Sequence, residues 1–313
     1  MRAITQQRFG GVEVLEVGDV PRPQPLPTEV LVRVVAAGLN PVDAKSREGG
    51  GMAGVLGAPP FILGWDVSGV VEEVGFGVHT LRPGDEVYGM PWFPRQAGAY
   101  AEYVTAPSRQ FARKPVTIGH PAAAAVPLAA LTAWQALTAA TTVAPGQRVL
   151  IHAAAGGVGH FAVQFAHHLG AHVIGTARSA KHDWLRSLGA DELIDYTAAP
   201  FESATGGVDL VLDLVGDEDT GLRSLKALSP GGLLIAIPSG VAPAVAEAAS
   251  HQGKHAIPFL VEPDGPALTE IASLIDNGHV RVEVAEQFPL EKAADAHAAL
   301  ETGRTRGKIV LTL

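Results

Sequence analysis

Residues 148–176 place a glycine-rich turn between an apolar strand and an amphipathic helix, and this pattern constrains the fold more than any other part of the chain. The strand-like run RVLIHA (148–153) leads into AAGGVG (154–159), a helical segment follows, and HVIGT (172–176) predicts the next strand. A glycine turn that follows a strand and opens a helix is typical of phosphate binding in a parallel α/β sheet. The alternative is a tight turn that binds no ligand.

The alternation of strands and helices predicts two domains. The 313 residues exceed what a single hydrophobic core usually organises. Between residues 122 and 261, apolar strands alternate with helices, which predicts a doubly wound parallel sheet, the Rossmann architecture. Residues 1–121 contain short β-branched runs punctuated by Gly and Pro, typical of a β-rich barrel, and strand-like segments after residue 262 resemble them. We expect a β-rich domain of residues 1–121 plus 262–313 and a coenzyme domain of residues 122–261, which one alanine-rich helix enters.

Composition excludes several kinds of function. The net charge is −9 and the lysines and arginines are dispersed, whereas a nucleic-acid surface needs clustered positive charge. The absence of cysteine excludes disulfides, a thiolate nucleophile and any zinc site that uses sulfur. The first residues lack the apolar run of a signal peptide, and no uncharged apolar segment reaches the length of a membrane span. We therefore expect a cytoplasmic protein without a membrane segment.

The glycine turn departs from the G-x-G-x-x-G pattern at its first position, where an alanine stands. Gly156 would let the backbone approach a pyrophosphate, and Gly159 would let the helix pack closely on the strand. The amides that open the helix would then face the phosphates, where the helix dipole favours negative charge. The residues expected to bind a dinucleotide here are Ala154, Gly156, Gly157, Val158 and Gly159.

The end of the second strand indicates which dinucleotide binds. An NAD site usually places Asp or Glu there to bind the adenosine ribose, but no carboxylate lies between Ala171 and Lys181. Two cations and two hydroxyls occupy this segment, which suits the 2′-phosphate of NADP(H). The alternative is that the two cations are ordinary solvated charges. The residues expected to hold the 2′-phosphate are Thr176, Arg178, Ser179 and Lys181.

Several segments in the right order resemble one superfamily. They are AAAGGVGHFAVQFAHHLGA (153–171), GWDVSGVVEEVG (64–75), LRPGDEVYG (81–89), GAYAEY (98–103) and GLNPVD (38–43). Together they resemble the medium-chain dehydrogenase/reductases, and most of all the zinc-free quinone oxidoreductase and enone (alkenal) reductase branch. The resemblance runs nearly end to end. It implies a Rossmann coenzyme domain inserted into a GroES-like catalytic domain, and a homodimer.

The positions that bind zinc in other members of this superfamily hold different residues here. Those members use a cysteine after the third strand and a Gly-His-Glu further along, whereas this chain has Asn40 in the first place and Gly64-Trp65-Asp66 in the second. The twelve histidines supply no His-x-x-x-His pair with a carboxylate partner at metal spacing. We therefore expect no metal site and no zinc-dependent alcohol oxidation.

With the zinc ligands replaced, hydride transfer from NADPH to an activated acceptor is the reaction that such a site favours. The carbonyl of an α,β-unsaturated substrate draws charge onto its own oxygen, so a single hydrogen-bond donor can stabilise the enolate. Reduction of a simple ketone would need a stronger electrophile. The expected partners are therefore small-molecule quinones, or enones and enals reduced at their C=C bonds.

The expected catalytic residues lie in GLNPVDAKSREGG (38–50). Quinone oxidoreductases often carry a tyrosine five residues after the asparagine, and here that position is Lys45, similar to several enone reductases. Lys45 would bind the nicotinamide ribose or the enolate oxygen, Asn40 would hold substrate or ribose, and Asp43 would orient Lys45. The alternatives are a simple turn at Asn40-Pro41 and a solvated loop cation at Lys45.

Further contacts are expected from the resemblance and from strand ends. Thr132 is similar to a family threonine near the nicotinamide, and Tyr196 would stack beside the adenine. Arg306 and Lys308 in GRTRGKIVL would reach the cofactor phosphates. Expected cofactor contacts at the carboxyl edge of the sheet are Val215, Ile237, Pro238 and Ser239. Expected walls for a flat substrate are Trp65, Trp92 and Phe93, although core packing explains Trp65 almost as well.

Two other functions stay open on the sequence alone. One is a trans-acting enoyl reductase that serves a biosynthetic carrier protein, which would need a basic patch for that partner. The other is a structural or interaction protein that binds NADPH and in which catalysis is incidental. Residues that bind the cofactor do not separate this second function from an enzyme, whereas turnover does.

Overall fold

The computed structural model describes residues 1–313, and the chain divides into two compact units. The first contains Met1–Leu131, Glu262–Gly278 and Val282–Leu313, and the second contains Thr132–Val261 and His279–Arg281. The domain ranges expected from the sequence, 1–121 with 262–313 and 122–261, stay a prediction, because compactness alone does not show which segments fold independently.

The secondary structure consists of many short elements. The strands are β1 (Arg2–Gln6), β2 (Leu15–Asp19), β3 (Glu29–Gly38), β4 (Phe61–Ile62), β5 (Asp66–Val74), β6 (Glu86–Gly89), β7 (Tyr103–Pro107), β8 (Phe111–Arg113), β9 (Arg148–Ile151), β10 (His172–Thr176), β11 (Glu192–Ile194), β12 (Val208–Asp213), β13 (Leu228–Ala236), β14 (His255–Pro258), β15 (Val284–Pro289) and β16 (Lys308–Thr312). The helices are α1 (Pro41–Arg47), α2 (Ala53–Leu56), α3 (His120–Ala124), α4 (Pro127–Thr138), α5 (Gly159–His168), α6 (His182–Ser187), α7 (Phe201–Ala204), α8 (Glu218–Ala227), α9 (Pro243–His251), α10 (Gly265–Asp276) and α11 (Ala293–Glu301). None of these helices has the length and apolar character needed to cross a membrane.

The first unit is built mainly from antiparallel strands. Its larger sheet has the order β15-β16-β3-β5-β6-β8, with β7 also paired to β3, and a smaller sheet has the order β2-β1-β4. The two C-terminal strands are parallel to each other, and β16 pairs antiparallel with β3. Alternate residues of β3, including Val30, Val32 and Val34, enter the hydrophobic core, as the two-residue repeat of a strand requires. The β-rich fold to which the C-terminal strands return is confirmed.

The second unit contains one parallel sheet of six strands in the order β11-β10-β9-β12-β13-β14. The chain begins in the middle at β9, moves outward through β10 and β11, and then returns to β12 on the other side of β9. Sheets of this order bind ligands beside the carboxyl ends of the strands where the direction of winding reverses. The predicted Rossmann fold is confirmed, and the loop after β9 stands at that reversal.

The alanine-rich segment expected to lead into the coenzyme domain forms two helices, so the expectation of one helix is wrong. The first, α3, ends at Ala124, and α4 begins at Pro127. Proline has no amide hydrogen to donate to the preceding turn and its ring clashes with that turn. It is therefore accepted at the first position of a helix but interrupts a longer one.

Candidate functional site

The turn between β9 and α5 offers a row of backbone donors. Ala154 N donates to Thr176 O at 3.1 Å, and Gly156 N donates to Ala153 O at 2.9 Å, which closes the turn. The amides of Gly157, Val158 and Gly159 have no acceptor in the protein. Donors at the start of a helix are free to bind an anion, and the helix dipole adds to the attraction. This donor set fits the pyrophosphate of a dinucleotide.

Gly159 is required by the close approach of α5 to the turn. A Cβ atom at this position would lie against the Ala153 carbonyl oxygen and 2.7 Å from Ala154 Cα, and both of these are backbone atoms that no rotamer change can move. At Gly156 the nearest atom would be Ala153 O at 3.2 Å, a much milder conflict. The third glycine of the pattern therefore has the packing role that the sequence predicts.

The segment after β10 presents polar groups to solvent. The side chains of Arg178 and Ser179 are exposed, Lys181 is partly exposed, and Arg178 has no acidic partner in the structure. An exposed guanidinium without a carboxylate partner, beside a serine hydroxyl, is suitable for binding a phosphate monoester. The residues fit the 2′-phosphate of NADP(H), and their contacts with it stay a prediction.

A residue that the sequence reasoning missed, Asp195, holds this segment in place. Asp195 follows β11, and its carboxylate accepts hydrogen bonds from Ser179 N at 2.8 Å, Thr197 N at 2.9 Å and the Thr197 hydroxyl at 2.6 Å. The Thr197 hydroxyl and the two amides hold the pKa of Asp195 well below its usual range. The signal for Asp195 is a carboxylate that directly follows the next strand, where it can accept hydrogen bonds from the amides of this loop.

Thr176 faces the interior, so the structure does not support its expected contact with phosphate. The residue is 3% exposed, and its hydroxyl lies 3.1 Å from His152 Nδ1. His152 Nε2 lies 2.9 Å from Ser224 Oγ, and that hydroxyl donates its own proton to Thr220 O. Nε2 must then carry the imidazole proton, while Nδ1 accepts from Thr176. Thr176 therefore connects the end of β10 to the interior of the sheet.

We expect His152 to make the protein less stable as the pH falls. Burial lowers the pKa of His152 to about 4, whereas an unfolded histidine titrates near 6.5. The unfolded state therefore binds the extra proton first, and stability is lost as the pH falls from about 6.5 towards 4. Between pH 6.5 and 4.5 the loss is about 2–3 kcal/mol in the free energy of unfolding. Urea titrations of the wild type and of His152→Asn at these two pH values measure it. An equal pH dependence in both proteins would show that His152 does not cause the loss of stability.

The remaining expected cofactor residues occupy different environments in the second unit. Thr132 is buried, whereas Tyr196 and Val215 are about half exposed. Asp213 Oδ1 accepts hydrogen bonds from the amides of Val215 and Gly216 and so shapes the loop after β12. The residues that follow β13 at the same edge of the sheet are Ile237, Pro238 and Ser239. Their contacts with a cofactor stay a prediction.

The segment expected to carry the catalytic groups forms a helix, α1, that the sequence reasoning did not predict. Asn40 precedes it, Pro41 is its first residue, and Asn40 N donates to Asp43 Oδ2 at 2.7 Å. A helix often starts with a capping residue, a proline at the first helical position and an acidic residue three positions after the cap. The sequence therefore contains the signal for α1. The alternative of a simple turn at Asn40-Pro41 is wrong.

The structure does not bring Asp43 and Lys45 together as expected. Asp43 is fully buried, while the side chain of Lys45 is exposed and has no hydrogen-bond partner. Residues two positions apart on a helix point to different sides. Burial raises the pKa of Asp43 to about 7, and the hydrogen bond from Asn40 N opposes this shift. Asp43 stabilises the start of the helix, and Lys45 is presented to solvent.

A buried polar cluster joins Asn40 to two charged residues of other strands. Asn40 Nδ2 donates to Asp66 Oδ2 at 2.9 Å, and the ammonium of Lys308 donates to the Asn40 side-chain oxygen and to Leu39 O. Asp66 and Lys308 are 0% and 3% exposed. Burial raises the pKa of Asp66 and lowers that of Lys308, while their mutual attraction opposes both shifts.

The positions of Arg306 and Lys308 do not match the expectation that both reach the cofactor phosphates. Lys308 is enclosed in the interior of the first unit, as described above. Arg306 forms an ion pair with Glu283, which already occupies part of its guanidinium. The sequence shows two cations in a glycine-containing segment, but it does not show that the strand β16 buries one of them.

The aromatic residues expected to form substrate walls pack within the first unit. Trp65 is 1% exposed, its indole N–H donates to Arg95 O at 2.7 Å, and its ring meets Phe93 edge to face at 5.3 Å. Trp92 is partly exposed and its indole N–H donates to Thr105 O. Trp65 therefore has the core position that the alternative interpretation favoured. A substrate contact of Trp92 or Phe93 stays a prediction.

Metal-ligating side chains do not converge anywhere in the structure. No group of three or more histidine, cysteine, aspartate or glutamate residues is arranged to hold a metal ion. Of the three residues that stand where the resemblance implies zinc ligands, Asn40, Trp65 and Asp66, two belong to the cluster with Lys308.

Comparison with known proteins identifies the family. The family models described as alcohol dehydrogenase GroES-like domain and zinc-binding dehydrogenase match residues 26–116 and 188–311. A chloroplastic NADPH-dependent alkenal/one oxidoreductase of Arabidopsis thaliana is 36% identical, over 99% of this chain and 79% of its own length. The chain belongs to the medium-chain dehydrogenase/reductase superfamily, in its zinc-free quinone oxidoreductase and enone reductase branch.

Solved structures agree with this assignment. The quinone oxidoreductase of Coxiella burnetii has a TM-score of 0.95 and 39% identity, with 100% of this chain and 99% of that chain covered. The quinone oxidoreductase of Escherichia coli, solved as a complex with NADPH, has a TM-score of 0.89 and 29% identity, with both chains fully covered.

Proposed function

We propose that this protein is an NADPH-dependent oxidoreductase that transfers hydride to quinones or to the C=C bond of α,β-unsaturated carbonyl compounds. The observation that carries the proposal is the donor set of the second unit. Unpaired amides of Gly157, Val158 and Gly159 follow β9, and the exposed Arg178 follows β10 where an NAD site has a carboxylate. The names of the related proteins, an NADPH-dependent alkenal/one oxidoreductase and quinone oxidoreductases, support the same chemistry.

Different residues of this chain would bind the cofactor and the substrate. Bound NADPH would supply the hydride. The amides of the turn would hold the pyrophosphate, and Arg178 with Ser179 would select the 2′-phosphate. Asn40 and Lys45 would donate hydrogen bonds to substrate or ribose oxygens, and a donor to the carbonyl oxygen stabilises the enolate that forms when the C=C bond accepts hydride.

The test is the loss of NADPH absorbance with a simple quinone and a small enone assayed in parallel, and with NADH as the control. Fast loss with NADPH and either acceptor, and slow loss with NADH, is the expected result. Tight NADPH binding without turnover of either acceptor would contradict the proposal. It would favour a carrier-bound enoyl substrate or a non-catalytic NADPH-binding protein.

We expect Lys45→Ala to lower kcat about tenfold to a hundredfold while NADPH affinity changes little, because a hydrogen bond from a charged group contributes this much. Stopped-flow turnover and fluorescence titration with NADPH separate the two quantities. Lys45→Arg keeps the charge and is the matched control, which should retain most of the activity. Weaker NADPH binding with normal chemistry would instead assign Lys45 to the nicotinamide ribose.

The same proposal includes a cytoplasmic location and a homodimer. The resemblance to the superfamily supports the dimer, and the edge strand β14 has a neighbour on only one side in the sheet. Light scattering at several protein concentrations would measure the mass. A mass near the 32.4 kDa of one chain at all concentrations would contradict the dimer.

A further inference from the structure

Lys308 is enclosed among three oxygen atoms in the interior of the first unit. The ammonium of Lys308 contacts Leu39 O at 2.6 Å, the Asn40 side-chain oxygen, and Asp66 Oδ2 at 3.5 Å. An ammonium has three protons, and these three oxygens account for all of them. Lys308 therefore has no proton left with which to bind a substrate, and any effect on the reaction must pass through a neighbour.

That neighbour is the Asn40 amide, whose orientation is determined by the two charges. Lysine only donates, so it must face the amide oxygen, and the Asp66 carboxylate must face the amide nitrogen. Asp66 is itself held by a hydrogen bond from Leu128 N to its other oxygen at 2.7 Å. One N–H of Asn40 remains, and the cation on the amide oxygen makes that N–H a stronger donor.

The cost of burying these charges indicates a role beyond stability. A buried ion pair gains little over well-packed apolar side chains, because both ions lose their hydration. Here an aspartate and a lysine that are 242 residues apart in the chain are both almost fully enclosed. What they accomplish together is to fix one polar side chain that neither could orient alone.

We propose that Lys308 and Asp66 are positioning residues that hold the Asn40 amide in one orientation, with its second N–H directed at a neutral oxygen acceptor. That acceptor is the carbonyl oxygen of the substrate or an oxygen of the nicotinamide ribose. We call the three residues Asn40, Asp66 and Lys308 the Asn40 clamp. This inference deepens the proposed function and rests on it.

The decisive comparison is between Lys308→Met and the double variant Lys308→Met with Asp66→Asn. The single variant leaves the Asp66 charge buried without its partner, so both Tm and kcat/KM should fall. The double variant removes the unpaired charge, so its Tm should return to within a few degrees of the wild type. Its kcat/KM with acrolein should stay about tenfold to a hundredfold low, because the amide is no longer oriented. Recovery of both quantities would overturn the proposal and leave only a structural role.

Two further measurements identify the acceptor and guard against misfolding. An unchanged Kd for NADPH in the double variant assigns Asn40 to the substrate carbonyl, and a Kd raised by the same factor as kcat/KM falls assigns it to the ribose. If the Lys308 variants do not fold, Asp66→Asn alone should lower kcat/KM about tenfold, and a wild-type value would overturn the proposal. Lys292→Met, an exposed lysine of the same unit, is the matched control and should behave as the wild type.

A direct readout separates this inference from the proposed function. The side-chain amide protons of Asn40, assigned by NMR with an Asn40→Asp sample, should exchange with solvent more slowly in the wild type than in the double variant. This holds even if the wild type reduces neither acrolein nor a quinone, in which case the proposed function fails and the clamp stands. Equal exchange rates in the two proteins would overturn the clamp itself.

Discussion

Gly159→Ala should lower the affinity for NADPH at least tenfold and should lower Tm by several degrees. The added Cβ would meet the Ala153 carbonyl oxygen and Ala154 Cα, the latter at 2.7 Å, so α5 must move away from the turn. Overpacking of this kind costs roughly 1–3 kcal/mol, and here it also displaces the unpaired amides that we propose bind the pyrophosphate. Calorimetric titration with NADPH and thermal unfolding measure the two effects.

Gly54→Ala is the control for this substitution. A Cβ at Gly54 meets no atom within 4 Å, and the residue lies in the helix α2 of the other unit, so both quantities should keep their wild-type values. Wild-type NADPH affinity in Gly159→Ala would show that the turn can relax, and it would remove the glycine turn from the cofactor site.

Arg178→Ala should narrow the preference for NADPH over NADH about tenfold to a hundredfold. A guanidinium that binds the 2′-phosphate contributes roughly 1.5–3 kcal/mol, and NADH has no group in that place. The Kd for NADPH should therefore rise while the Kd for NADH stays the same. Fluorescence titrations with both cofactors measure the ratio of the two Kd values. Both titrations are made at one salt concentration, because salt screens contacts between charged groups.

The matched control is Arg186→Ala. Arg186 is an exposed arginine of α6, the next helix along the chain, and it pairs with Asp183 of the same helix. It should leave the ratio unchanged, whereas Arg178→Lys should retain part of it because the charge remains but the paired geometry is lost. A ratio that Arg178→Ala does not alter would make Arg178 a surface charge and would leave the cofactor preference to other residues.

The sequence predicts the coenzyme unit well because its signals are local. The strand, the glycine turn and the helix that follows lie within 30 residues, and each is recognised by apolar spacing or by the missing Cβ of Gly159. The break at Pro127 and the helix after Asn40 also have local signals, in a proline and in a capping pattern. Both features are therefore predictable from the chain alone.

What the sequence by itself determined is therefore the fold class, the glycine turn between β9 and α5 and the cations that follow β10, since each depends on residues close together in the chain. The tertiary structure alone decided the partners of Thr176, Asp195 and Lys308. Lys308 contacts Asn40 across 268 residues, and no spacing rule predicts which oxygen a buried ammonium will meet. Its role is decided by which strands pair, because the pairing of β16 with β3 places it beside Leu39 and Asn40.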